Sequence, residues 1–305
     1  MMRKLSIVIP CYNCQDNIRV LLNSLVFKVI QSNLDDEIEI VVVNDGSTDS
    51  TTDVLSDFYS YGFIKTYNIE NSGAAKAREY GLSHSVGEYI FFCDSDDKVS
   101  DNFFDIFFKN YNLYDVIYFS SCISDLNNVK LYDKVQFEND LAPVSAHVLF
   151  NSLLRKGMWT AAVWTYIFKR EIALNSKAYF TDRVAHEDHL FTLQILFSTD
   201  KIVCDSRLGY TQYSTPNSLT KKIDSFNYIY QRLIAYKEAV KFLVSITTNE
   251  NIYLYKKWSL YSYMRLVYSS RLSIIQKSRL ILMLHNEFSV LVKIFFNKFF
   301  DRFTS

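Results

Sequence analysis

Glycine and proline are scarce in this chain, 7 and 3 residues in 305. That scarcity excludes collagen-like repeats and long flexible linkers, and 49% hydrophobic against 22% charged residues excludes extensive disorder. No apolar run is long enough to span a bilayer. The start, Met1-Met2-Arg3-Lys4, leads into a five-residue apolar stretch too short for a signal-peptide core. The five cysteines are odd in number and form no disulfide framework. Cys11 and Cys14 have CxxC spacing, but no second pair exists to complete a zinc site, so reduced thiols and a cytoplasmic location are expected. Neither GxGxxG nor GxxxxGK[ST] occurs, which removes the dinucleotide fingerprint and the P-loop.

Aromatic residues, by contrast, are plentiful, with 22 Tyr and 24 Phe. The net charge of zero conceals an imbalance. Residues 221–305 carry 14 Lys and Arg against 5 Asp and Glu, whereas the first 220 carry 19 against 28. A basic tail behind an acidic body suits an anionic membrane surface or nucleic acid. No RNA-binding signature accompanies the tail, so the membrane is the expected partner and nucleic acid is not.

Strand and helix signals alternate through the first half. Leu5–Ile9, Glu37–Val43, Phe63–Tyr67, Tyr89–Cys93 and Asp115–Ser120 read as buried strands, and helices are expected after Asn13, near Ser50 and from the segment Asn71–Ala75 to about Ser85. This order predicts an α/β domain with a mostly parallel sheet flanked by helices over residues 1–220. Right-handed connections bring the strands' C-terminal ends to one rim, so the polar loops at Asn13, Asp45, Asn71 and Asp94–Asp97 should share a crevice. From 221 to 305 the pattern turns helical, over Ile223–Leu243 and Ile252–Leu272. A final stripe follows, of Leu284, Phe288, Leu291, Phe295, Phe299 and Phe303 with Lys293, Lys298 and Arg302 between them. Such a stripe packs on its own protein or meets lipid.

The acids carry the chemistry. Asp94-Ser95-Asp96-Asp97 ends an apolar strand abruptly, and carboxylates this crowded repel one another unless a cation neutralises them. Hard oxygen ligands suit Mg²⁺ or Mn²⁺ bridging to a substrate diphosphate. A solvated acidic turn is the plainer alternative for the cluster taken alone. A second acidic pair, Glu187-Asp188, lies between His186 and His189, where either a histidine role or an ordinary helix-start surface is open.

Taken together, these motifs resemble family 2 glycosyltransferases, inverting nucleotide-sugar enzymes of the GT-A fold. The resemblance rests on Ser6–Asn13, Val43–Asp49, Asn71–Arg78, Gly87–Ile90 and the acidic cluster, with weaker matches at Trp164–Arg170, Glu187-Asp188 and Asn217-Ser218. It implies that Pro10, Tyr12 and Asn13 floor the nucleotide base and that Asp45 accepts the imide N–H of uracil, a carboxylate being acceptor-only. Helix capping is the alternative for Asp45. Asn71, and Lys76 or Arg78, would face the nucleotide or diphosphate, with a solvated helix face the alternative for Lys76. Asp94 and Ser95 would lie near the ribose. Asp96 would hold the metal, Mn²⁺ or Mg²⁺, with Asp97 a second ligand or a support. Asp188 would be the catalytic base, and Glu187 would hold the acceptor or orient Asp188. His186 stands where the family often has a small residue.

The implied reaction moves a sugar from a UDP-sugar to a glycan or lipid-linked oligosaccharide acceptor, with a β-linked product. Capsule or O-antigen synthesis on the inner face of the plasma membrane is the expected setting, with the basic helices bringing the protein to the membrane as a peripheral one. A metal-dependent nucleotidyltransferase is the rival enzyme, but Pro10–Asn13 lacks the Gly-rich basic loop it needs. A non-catalytic sugar- or nucleotide-binding module is the third reading, against which the pairing of DxDD with Asp188 argues.

Overall fold

The computed structural model describes residues 3–183, 185–214, 225–287 and 289–292. They divide into two compact units: Met1–Ala146, Thr160–Asp182 and Glu187–Thr215 form one, and His147–Trp159, Arg183–His186 and Pro216–Ser305 the other.

Strand β1 (Leu5–Cys11) pairs in parallel with β2 (Ile38–Asp45) on one side and β4 (Tyr89–Phe92) on the other. β2 pairs in parallel with β3 (Ile64–Ile69). The runs in β1, β2 and β4 are apolar almost throughout because helices cover both faces of a parallel sheet. Pro10 lacks an N–H for the ladder and stands beyond Val8, the last β1 residue paired to β4, where that loss is tolerated.

The sheet then extends further than the sequence suggests. β9 (Tyr166–Lys169) inserts antiparallel between β4 and β6 (Val116–Ser124), and β10 (Ile202–Tyr213) pairs in parallel with β6. The strand order is β3-β2-β1-β4-β9-β6-β10-β5, with the two-residue β5 (Lys98–Val99) at the edge. β7 (Lys130–Val135) pairs with β6, and β8 (Leu141–Val144) with β10. This is the α/β architecture expected, with a parallel core widened by antiparallel strands.

Helix α3, Ala74–His84, lies tightly on β1 and β2. A Cβ on Gly81 would stand 2.3 Å from Val8 Cγ1, so glycine sets that approach. Beneath the acidic turn, Phe91 meets Phe103 at 4.6 Å and Tyr210 at 5.8 Å between ring centroids. Edge and tilted contacts of this kind fix ring orientation as well as burying area.

The second unit is helical. Helices α8 (Phe226–Ile246), α9 (Asn249–Ser269) and α10 (Ile274–Leu282) fall where the aromatic periodicity predicts the first two, and Thr248 and Ser273 cap the N-termini of α9 and α10. The expected boundary near residue 220 left out two earlier segments. His147–Trp159 belongs here because Phe150 meets Trp159 at 4.7 Å and Tyr255 at 6.0 Å. In the final stripe, Leu284 and Leu291 are buried. Phe288, Phe295, Phe299 and Phe303, like Asn217-Ser218, lie outside the described residues. Among the described residues no helix is long and apolar enough to cross a membrane.

Candidate active site

The three loops after β1, β2 and β3 are stitched to one another. Asn13, at φ 47°, accepts from Thr48 N–H at 2.8 Å through Oδ1, and its own N–H donates to Ser47 Oγ at 3.0 Å. Asp45, 3% exposed, accepts from Ser72 N–H at 2.7 Å and Gly73 N–H at 2.8 Å, one on each carboxylate oxygen. Asn71 Nδ2 donates to the Asp45 carbonyl at 3.0 Å. Gly46 is required where these loops cross: its φ is +69°, and a Cβ there would lie 2.7 Å from Asn71 N. Asp45 therefore organises the start of α3, not the helix after Asp49. Each carboxylate oxygen keeps a second lone pair with which to meet a ligand N–H. Tyr12, just past Pro10 and Cys11 at the end of β1, is half exposed. The five cysteines are free and buried.

Arg78 joins two motifs that are far apart in the chain. Its Nη1 donates to Glu187 Oε1 at 2.8 Å and its Nη2 to Asp94 Oδ1 at 2.9 Å, and its guanidinium lies 5.8 Å from the centre of the Phe180 ring. Phe180 stacks on Phe191, 4.2 Å between centroids, which ties the head of Arg78 to α7 (Asp188–Leu196). Burial opposes the charge on Arg78, but Asp94 and Glu187 outweigh it and raise the guanidinium above its ordinary value. Lys76, two residues earlier and about 200° around the helix, is exposed and pairs with Glu79 at 2.9 Å. The two candidates on α3 thus separate: Arg78 sits in the acidic network, and Lys76 on the solvated face.

Asp188 opens α7, with Glu187 as its N-cap. Burial first, then the Glu187 carboxylate, pushes Asp188 up to about 7, against a smaller lowering by Arg78. A carboxylate so placed takes a proton near neutral pH. His186, at φ 62°, titrates far lower. Burial, then the charges of Arg232 and Arg183, hold its imidazole at about 3, so it stays neutral at physiological pH. His189 is buried.

Asp97, expected as a second metal ligand or a support, has the geometry of the support. It is 6% exposed, and its oxygens accept from Tyr210 O–H and Tyr213 N–H, both at 2.8 Å. Tyr210 also accepts from Asp94 N–H at 3.1 Å and stacks on Trp164 at 5.0 Å. Burial, then the charges of Asp94 and Asp96, push Asp97 well above the ordinary carboxylate range. A cation beside Asp96 would relieve that repulsion, and an all-oxygen donor set fits Mg²⁺ or Mn²⁺. Among the described residues no three His, Cys, Asp or Glu side chains form a ready cage. The protein would supply Asp96, and a bound diphosphate the remaining oxygens.

Two contributions escape sequence reasoning. Tyr210 lies in β10, whose Asp205-Ser206-Arg207 and Gly209 break any strand alternation. Lys134 is the extra residue where β7 slips against β6, between the pairs Cys122↔Asp133 and Ser121↔Val135. Its half-buried ammonium is lowered by burial and raised in part by Asp188, which places it within electrostatic reach of that carboxylate.

Comparison with known proteins identifies the family and the fold. The family model described as "Glycosyl transferase family 2" matches residues 6–168. "Uncharacterized glycosyltransferase YibD" of Escherichia coli (strain K12) is 26% identical over 238 residues, 75% of this chain and 67% of that protein. The first curated relatives are longer, the chain spanning 32% to 67% of their length. Among solved structures, Staphylococcus aureus TarS 1-349 in complex with UDP-GlcNAc superposes with a TM-score of 0.70 at 19% identity, over 94% of this chain and 81% of that one. The mannosyltransferase PcManGT of Pyrobaculum calidifontis, in complex with GDP-Man and Mn²⁺, gives a TM-score of 0.54 at 15% identity, over 96% and 84%.

Proposed function

Because the chain belongs to glycosyl transferase family 2, we propose that it transfers a sugar from a UDP-sugar to a glycan hydroxyl with inversion, Asp188 acting as the base. The observation that carries this reading is the Asp94–Arg78–Glu187 bridge, which brings the base's segment to the acidic turn from across the chain. Asp188 takes the acceptor hydroxyl's proton as its oxygen attacks the anomeric carbon. The bond to UDP breaks on the opposite face, so an α-linked donor gives a β-linked product. Glu187, fixed by Arg78 at 2.8 Å, orients Asp188 or holds the acceptor. Asp45 reads the uracil imide above Pro10, Tyr12 and Asn13, with Asn71 closing that side, and Asp94 and Ser95 face the ribose. A divalent cation at Asp96, when bound, offsets negative charge developing on the departing diphosphate.

A donor-hydrolysis screen across UDP-, GDP- and dTDP-sugars, with Mn²⁺, Mg²⁺ or EDTA, tests donor and metal together. The expected result is turnover of a UDP-sugar, stimulated by Mn²⁺ or Mg²⁺ and lost in EDTA. Turnover undiminished by EDTA would remove the metal from Asp96. Preference for a GDP-sugar would remove the uracil role from Asp45.

The acceptor we propose is a glycan on a polyprenyl diphosphate, as in capsule or O-antigen synthesis, reached at an anionic membrane surface on its cytoplasmic side. Supporting it, no Asp or Glu occurs between Glu250 and Glu287, a stretch with six Lys and Arg. There α10 turns Ile274, Ile275 and Leu282 outward, at 83%, 70% and 71% exposure, beside exposed Arg279. Apolar side chains ringed by cations suit the interface of an anionic bilayer. Flotation with phosphatidylglycerol vesicles should recover the protein, and I274D/I275D should bind at least tenfold more weakly. Equal flotation of the variant, or of wild type on neutral phosphatidylcholine vesicles, would contradict this surface.

A further inference from the structure

We propose that Arg232, in the helical unit, is an anion site that takes a phosphoryl group. α8 buries a stripe formed by Ile229, Leu233, Tyr236, Ala239 and Leu243. Arg232 falls within that stripe and is only 3% exposed. Its Nη1 and Nη2 atoms are both buried with no hydrogen-bond partner. The contact found for its charge is the Trp258 ring, 5.4 Å from the guanidinium carbon.

Among the described residues of the unit no carboxylate is left over to compensate it. The Asp and Glu side chains among its described residues are Glu238, Glu250 and Glu287. Each is already in an ion pair, with Arg183, Arg155 and Lys256 respectively. A guanidinium cannot shed its proton, and a ring face offers a cation far less than an oxyanion does. His186, which faces both Arg232 and Arg183, is neutral, so it neither adds to the charge nor cancels it.

Burying an unpaired charge is costly, and an anion bound from outside would remove that cost. Two adjacent Nη donors form a fork that matches two phosphate oxygens, each bond charge-assisted. Assigning that anion to the diphosphate of a lipid-linked acceptor rests on the acceptor reading above. The anion site itself does not.

The test uses the full chain in phosphate-free buffer with UDP at saturation, which fills the nucleotide site. Calorimetric titrations with inorganic pyrophosphate and with farnesyl diphosphate are compared for wild type, R232K and R232M. Wild type should bind both, R232M at least tenfold more weakly, and R232K in between. R232M should still bind UDP as wild type does and melt, free of phosphate, no lower than wild type, because it removes an uncompensated buried charge. Tighter binding of farnesyl diphosphate would identify a lipid-linked diphosphate as the source, and equal binding a free phosphoryl group. Undiminished binding by R232M, or a drop of several degrees in its melting temperature without phosphate, would overturn the site and leave Arg232 as a packing residue on Trp258. Failure of UDP to bind would count against the donor assignment alone, since the comparison at Arg232 reads pyrophosphate.

Discussion

Asp188→Asn is expected to lower sugar transfer by about 10²–10⁴-fold, the range a positioned general base contributes. UDP affinity should stay within about twofold, because the interaction removed is one made in the transition state. The amide keeps the size and one acceptor oxygen of the acid but cannot take a proton. The same change should stabilise the protein. Asp188 is raised to about 7, above its value of 3.8 when unfolded, mainly by burial. Its ionised form therefore costs folding free energy, and that cost grows as pH rises from about 4 to about 7. An amide carries no such cost, so D188N should melt higher than wild type at pH 8 and at the same temperature or lower at pH 4. Calorimetric UDP titration, a transfer assay and melting curves at the two pH values check the three parts. Near-normal transfer would move the base to Glu187.

Arg78→Met should have the largest effect on folding. It leaves Asp94 and Glu187 facing one another without their shared cation, and breaking a buried pair from one side costs about 3–5 kcal/mol. Transfer should fall with it, since Glu187 and the acidic turn lose their common anchor. R78K should recover only part, because one ammonium cannot reproduce a fork that meets two carboxylates at 2.8 and 2.9 Å. R78M/E187Q should be less destabilised than the two single changes added together, since removing the carboxylate removes the charge left stranded. Denaturant unfolding of the four proteins measures this directly. Additive losses would mean that the bridge carries no coupling.

What could be read beforehand follows from how local each signal is. β1, β2 and β4 announce themselves because both faces of each are buried, so the apolar run is continuous and needs no partner to be recognised. Asp94–Asp97 was legible for the same reason, as a sharp end to such a run. β9 and β10 were not, since Tyr166–Lys169 is four residues long and β10 contains Asp205 and Arg207, which satisfy each other at 2.7 Å. Consequently nothing in the sequence marks Tyr210 and Tyr213, whose bonds to Asp97 make that acid a bolt for the turn. Arg78 could be placed one turn into α3. The separations of 16 and 109 residues to Asp94 and Glu187 are bridged only by the tertiary fold. Between Lys76 and Arg78, spacing alone left both eligible; the register of α3 on β1, fixed at Gly81, decides which one turns inward.

The proposed function divides the labour among the acids: Asp96 and its neighbours would attend to the leaving UDP, and Asp188 alone would take the proton. The pH dependence of transfer by the wild-type enzyme, measured from pH 5.5 to 8.5 beside D188N, tests that division most directly. The rate should fall about tenfold per pH unit on the acid side and level off above an apparent value near 7, as the ionised form of Asp188 accumulates. The residual rate of D188N should lack that limb. A wild-type profile flat across this range, or the same limb retained in D188N, would contradict the assignment of the base.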